Sequence, residues 1–278
     1  MKICFNQATT MKNSTLESDL EYCEKYHYDL IEIRLDKLRE YLTRHTLVDL
    51  RAFFDAHHIK PFAFNALEFI NFRDAAGFAD IMDGLKFCCE AGNIIGCDRV
   101  VIVPTFDIGN KTISEIRAET VRVIHIMSDF AQPYGMKLAF EFVGYPSCSV
   151  NTFGQAYDIV KTADRPNVGV VLDCFHFHAM GSRFEDLEAA DGSKIFILHL
   201  DDSEDLPVGA ARDNNRLMPG EGAIDLPRIF RTLKHLGYDS MVSIELFRPE
   251  YWDWPDEENI RICYQKTCDS IRPYFPIG

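Results

Sequence analysis

Residues 137–173 read KLAFEFVGYPSCSVNTFGQAYDIVKTADRPNVGVVLD, and they carry the argument for the fold. An apolar run, Lys137–Val143, leads through a polar turn into a helix-period stretch. A second apolar run, Val168–Asp173, follows. In the middle stretch Ala156, Ile159, Val160 and Ala163 recur at the spacing of one helix face. The flanking runs are apolar almost throughout, as strands covered on both sides are. The unit reads as strand, helix, parallel strand. Each run also carries an acid close to its end, Glu141 or Asp173, where a buried strand should be apolar.

The alternation extends in both directions. Further runs lie at Lys2–Asn6, Leu30–Arg34, Pro61–Leu67, Arg99–Thr105, Ile195–Leu200 and Met241–Phe247, which makes eight. Ser14 with Glu17, and Thr112 with Glu115, have the spacing of capping boxes at helix starts. Ile116, Val123, Ile124, Met127 and Ala131 continue the second helix as an apolar stripe. Leu226, Ile229, Phe230, Leu233 and Leu236 form another, with Asp225 as N-cap and Gly237 as the stop. Eight strand–helix alternations predict an α/β chain folded as one (β/α)8 barrel domain over residues 1–278. A doubly wound sheet would want a glycine-rich phosphate turn after the first strand. Asn6–Thr10 contains no glycine.

Composition sets the partners. The 278 residues include 43 acidic and 29 basic side chains, a net charge of −14. That excess disfavours a nucleic-acid backbone, which is bound mainly by cationic contacts, and an anionic membrane. No apolar run approaches a spanning helix, and the N-terminus lacks the pattern of a secretory signal. Nine scattered cysteines without a C-x-x-C spacing read as reduced thiols, so a cytoplasmic protein is expected.

In a (β/α)8 barrel the chemistry sits at the C-terminal strand ends. Four polar residues stand there in the last four runs: Glu141, Asp173, His199 and Glu245. Their same-side neighbours two residues earlier are Ala139, Val171, Ile197 and Ser243, as small or apolar as a barrel interior requires. Three buried carboxylates and one imidazole need a cation, and one divalent ion (Zn, Mn, Co or Mg) answers that need. The competing reading pairs each acid with a nearby Arg or Lys. His176, three residues after Asp173, is a candidate for substrate contact, proton movement or a second metal. His178 reads as a structural loop histidine. Arg216, Arg248 and Asn65 are candidates for binding substrate oxygens, solvated charge being the alternative for both arginines. Glu32 and Arg34 line the pocket or form barrel salt bridges and hydrogen bonds. Trp252 and Trp254 form a lid, a subunit contact or a packed loop.

These residues, with the stretches VVLDCFHFHAMGS, HLDDSEDLP, PGEGAIDL and VSIELFRPEY, resemble the xylose-isomerase-like TIM barrels nearly end to end. That family includes sugar isomerases, epimerases and the endonuclease IV type of DNA-repair enzyme. The resemblance implies a metal at Glu141, Asp173, His199 and Glu245, the four reached above. Within the family it is nearest the branch that isomerises keto-cyclitols. It implies a small polyol substrate such as 2-keto-myo-inositol, an inosose of inositol catabolism. The carbonyl would move through an enediolate, with Glu141 and Glu245 as the acid/base pair and no nucleotide cofactor. Strands three and four end in Asn65 and Pro104-Thr105 rather than the histidines of a multi-metal DNA enzyme. The Glu and Arg expected of a ketose 3-epimerase after strands five and seven are replaced by Gly144–Ser147 and Asp201–Asp205. The alternatives are an inosose dehydratase, a related ketose epimerase and a non-catalytic sugar-binding barrel. Barrels of this type often associate, so a homo-oligomer is an open expectation.

Overall fold

The computed structural model describes residues 1–106 and 108–277. The strands are β1 (Lys2–Asn6), β2 (Leu30–Arg34), β3 (Lys60–Leu67), β4 (Arg99–Ile102), β5 (Lys137–Glu141), β6 (Val168–Asp173), β7 (Ile195–Leu200), β8 (Asp202–Ser203), β9 (Arg216–Leu217) and β10 (Met241–Ile244). Eight of them close into a parallel barrel in the order β1-β10-β7-β6-β5-β4-β3-β2, with helices between successive barrel strands. The eight predicted runs are these eight strands. The short antiparallel pair β8–β9 is extra and lies between β7 and β10 in the chain.

Two apolar layers follow from strand alternation. One side chain in two points inward, so Cys4, Leu30, Ala63, Val101, Ala139, Val171, Ile197 and Met241 fill the barrel. The others point outward and meet the helices. Ile116, Val123, Ile124, Met127 and Ala131 of helix Ile113–Ala131 are all buried there. So are Ala156, Ile159, Val160 and Ala163 of helix Phe153–Ala163. Each large aliphatic side chain buried this way contributes about 1.5–3 kcal/mol. All nine cysteines are buried and unpaired within these layers.

Local signals need one correction. The first helix, Leu16–Lys25, is capped by Thr15 with Ser18, not by Ser14 with Glu17. The Ser14 hydroxyl donates to Thr10 O and accepts from Lys37 Nζ, and Glu17 accepts from Arg44. Both expected capping groups are thus committed elsewhere. Thr112–Glu115 and Asp225 cap as predicted, and Gly237 follows its helix at φ 73°. Three strands stop short of the apolar runs that predicted them. Val143 N donates to Val150 O, so this backbone leaves the ladder for a loop partner, while Val103 N, just past β4, still reaches Leu67 O at the end of β3. Glu245 therefore stands one residue beyond β10, its N–H donating to Leu200 O at 3.3 Å. No helix among the described residues is long and apolar enough to cross a membrane.

Candidate metal centre

The barrel register brings the strand-end residues together. Asp173 of β6 lies level with His199 of β7, and His199 level with Ser243 of β10. Glu141 ends β5 and Glu245 follows β10. One ligand atom from each of Glu141, Asp173, His199 and Glu245 lies within 4.8 Å of the others, and all four residues are buried. His199 sits among them. Its Nδ1 is 2.9 Å from Glu141 Oε1, 3.2 Å from Glu245 Oε2 and 3.8 Å from Asp173 Oδ2. On its other side Nε2 donates to Glu32 Oε1 at 3.0 Å. Glu32 is fully buried on β2 and so acts as the orienting partner of the histidine. A carboxylate in that position fixes the ring and directs Nδ1 to the three acids. Of the two readings kept for Glu32, the buried hydrogen bond is the one observed.

The protonation states follow from burial and charge. Burial pushes the Glu141 carboxyl up to about 8, with His199 pulling the other way. Burial also disfavours ionisation of Asp173, but Arg216, His176 and His199 outweigh it and hold Asp173 well below the usual carboxylate range. Burial would lower His199; Glu245, Glu32 and Glu141 overcome it and raise the imidazole well above its ordinary value. Without a cation the centre therefore keeps protons on His199 and Glu141 near neutrality. A metal ligand must give up its proton, so metal binding releases protons and tightens as pH rises. Loading at pH 7 should release about two protons per ion. Calorimetry in buffers of different ionisation enthalpy measures this number, and a heat independent of buffer would refute it.

The remaining candidates separate into those at the centre and those outside it. Asn65 Nδ2 donates to Glu245 Oε1 at 3.2 Å, and Asn6 Nδ2 donates to the same oxygen at 2.8 Å. Arg216 is fully buried, so it is not a solvated charge. Its donors go to Asp173 (2.8 Å), Asp201, Asp213 (3.2 Å) and His176 Nε2 (3.1 Å). Guanidinium only donates, so His176 Nε2 accepts and the imidazole carries its proton on Nδ1. That Nδ1 is buried without a partner among the described residues. Arg248 lies farther out, 19% exposed, pairing with Glu204 at 2.7 Å and Glu250 at 3.3 Å. Arg34 pairs with Asp36. Trp252 ends the short helix Pro249–Trp252 and is buried with Nε1 donating to Ala8 O, and Trp254 packs on the core.

The family described as xylose isomerase-like TIM barrel matches residues 20–264. The chain belongs to the xylose isomerase-like TIM barrel family. An inosose isomerase of Halalkalibacterium halodurans is 52% identical over 278 residues, covering 100% of this chain and 99% of the relative. The inosose isomerase of Bacillus subtilis is 52% identical over 276 residues, covering 99% of each chain. A crystal structure of the IolI protein with a bound zinc atom superposes with a TM-score of 0.97 at 52% identity, covering 99% of each chain.

The donor set of this xylose isomerase-like barrel fits a divalent ion on its own chemistry. Three carboxylate oxygens and one imidazole nitrogen are hard-to-borderline donors of the kind Zn²⁺, Mn²⁺ and Co²⁺ accept. The buried acids outnumber the cationic groups that reach them, which is the imbalance such an ion removes.

Two features of the centre had little voice in the sequence. Asn6 looked like the first residue of an ordinary turn, and only barrel closure sets it against Glu245. Gly144 is the second. A Cβ there would lie 2.6 Å from His176 O and 2.9 Å from His176 Cα, so only glycine lets the helix Cys174–Ala179, which carries His176, approach the loop after β5. Gly144→Ala should displace His176 and lower kcat/KM by up to about 100-fold, the scale of a small misplacement at a reacting centre. Metal content measured on the same sample checks the assignment. A loss of activity that tracks loss of metal would place the effect on Asp173 instead.

Proposed function

We infer that this chain is a metal-dependent isomerase that moves the carbonyl of a keto-cyclitol such as 2-keto-myo-inositol to the adjacent carbon. The observation that supports it best is the buried set of three carboxylates and one imidazole on neighbouring barrel strands. It occurs in a chain half identical, over its whole length, to inosose isomerases. Glu141, Asp173, His199 Nδ1 and Glu245 are the groups we assign to hold the ion. Bound there, a divalent cation supplies Lewis-acid polarisation of a carbonyl and its neighbouring hydroxyl.

The chain's own residues do the rest. The reaction takes a proton from the carbinol carbon and delivers one to the former carbonyl carbon, while the hydroxyl proton passes to the other oxygen. No electron leaves the substrate, so no nicotinamide or flavin is called for. Glu141 and Glu245 are the two carboxylates we assign to these carbon-bound protons, one removing and one returning. Glu245 is steadied by Asn6 and Asn65, and Glu141, which burial keeps protonated in the metal-free site, gives up that proton when the ion binds and is then able to take one from carbon. His176 Nδ1–H is free to donate to a substrate oxygen, which would satisfy a buried donor otherwise left unpaired. The excess of acidic side chains fits a neutral polyol rather than a nucleic acid, and a cytoplasmic setting is our reading of the buried free thiols.

Product analysis tests the reading. Metal-loaded protein incubated with 2-keto-myo-inositol should yield an isomeric inosose of unchanged mass, with deuterium entering at carbon in heavy water. Loss of one water would make the protein a dehydratase and sink the proposal.

A further inference from the structure

A second ligand set lies against the first. Asp173 Oδ2, Glu245 Oε2 and Asp201 Oδ2 gather around Arg216 Nη1 and His176 Nε2 lies at its Nη2, again three carboxylates and one imidazole. Asp173 and Glu245 belong to both sets. Asp173, Asp201, Glu245 and His176 are all buried. Two cation sites sharing carboxylates is the plan of a two-metal centre, in which the ions stand about 3.5–4 Å apart. Here the second position is filled by protein. The guanidinium of Arg216 reaches Asp173 at 2.8 Å, Asp201, Glu245 Oε2 at 3.4 Å and His176 at 3.1 Å, while its Nε holds Asp213 at 3.2 Å.

Arg216 is not a surface side chain that strayed inward. It is carried by β9, whose pairing with β8 sets Arg216 opposite Ser203. Its guanidinium lies 4.8 Å from the Phe175 ring and 5.3 Å from Phe247, so apolar faces close it off. The Arg248 side chain donates to its carbonyl oxygen. An arginine cannot lose its proton in a protein and cannot be drawn off by a chelator.

We propose that Arg216 takes the place of a second cation in a centre built with ligands for two, and so confines this protein to a single metal ion. The proposal rests on the four-donor site holding a metal. Its positive charge, unlike an ion's, is present before any metal arrives. It keeps Asp173 and Glu245 in place through Nη1 and turns His176 Nε2 into an acceptor. Arg216 is thus a positioning residue rather than a catalytic one.

The test counts ions. Metal-stripped wild type, Arg216→Lys, Arg216→Gln and Arg216→Ala are titrated with Mn²⁺, with circular dichroism to confirm folding. Bound metal and electron paramagnetic resonance are read together. Wild type and Arg216→Lys should bind one equivalent and give the spectrum of an isolated ion. Arg216→Gln and Arg216→Ala should take a second equivalent, and the spectrum should broaden by coupling through the shared carboxylates. A folded Gln or Ala variant that saturates at one equivalent in millimolar manganese overturns the proposal. So does a wild type that takes two, a result that needs no variant to fold. A wild type that takes none refutes the metal reading itself, and this proposal with it.

Discussion

Glu245→Gln should lower turnover per bound metal by about 10²–10⁴, the range over which a positioned acid or base contributes. Gln keeps the shape and can still accept from Asn6 and Asn65, whose amides now meet at Glu245 Oε1. What it loses is the charge and the ability to take a proton. The fold should survive, because Glu245 lies beyond the barrel ladder of β10 and its backbone bond to Leu200 is untouched. Kinetics must be normalised to bound metal, since Glu245 is also an assigned ligand. Retained turnover in the metal-loaded variant would remove Glu245 from the proton transfers.

His199→Ala should have the largest effect on stability. The imidazole contacts Glu32, Glu141 and Glu245 at 3.0, 2.9 and 3.2 Å. Removing it leaves the Glu32 carboxylate fully buried with no hydrogen-bond partner among the described residues, and leaves Glu141 and Glu245 facing each other across a cavity. Breaking a buried ion pair from one side costs about 3–5 kcal/mol, because the other charge remains uncompensated. Metal binding should be lost as well. Thermal unfolding with and without zinc reads both: the melting temperature should fall, and zinc should no longer raise it. The double variant Glu32→Gln/His199→Ala should be less destabilised than the sum of the two single changes, because Gln needs no counter-charge. Strict additivity would show that Glu32 does not answer to His199.

The strand ends of this family were legible because two physical patterns coincide there. Period-two alternation buries Ala139, Val171 and Ile197 in the barrel, and the next inward residue is then an acid or imidazole that has no business in an apolar run. Glu141, Asp173 and His199 break the pattern in this way, and Glu245 does so one residue past its strand. Arg216 was harder. It lies in a loop without hydrophobic periodicity, where the default for an arginine is a solvated charge. Its burial depends on the β8–β9 pair and on acids from three separate segments. Asn6 was illegible for a related reason: its partner is 239 residues away, and amides carry no charge to stand out. Arg248, although near Glu245 in sequence, pairs with Glu204 and Glu250 rather than with the four donors. The first capping box failed by one residue because Ser14 and Glu17 have tertiary partners that spacing cannot reveal.

The pairing of β1 with β10 also bears on the order in which the molecule is made. Lys2 pairs with Met241 and Phe5 with Ile244, so the first strand to leave the ribosome waits for the last. Until then the barrel has two open parallel edges, and edges of that kind invite pairing with other chains. The same event that shuts the sheet brings Glu245 against Asn6. A nascent or truncated chain lacking the last strand therefore lacks both the closed sheet and the fourth donor. It would sequester metal poorly and turn over nothing. Closure of the sheet and assembly of the four-donor set thus become one step.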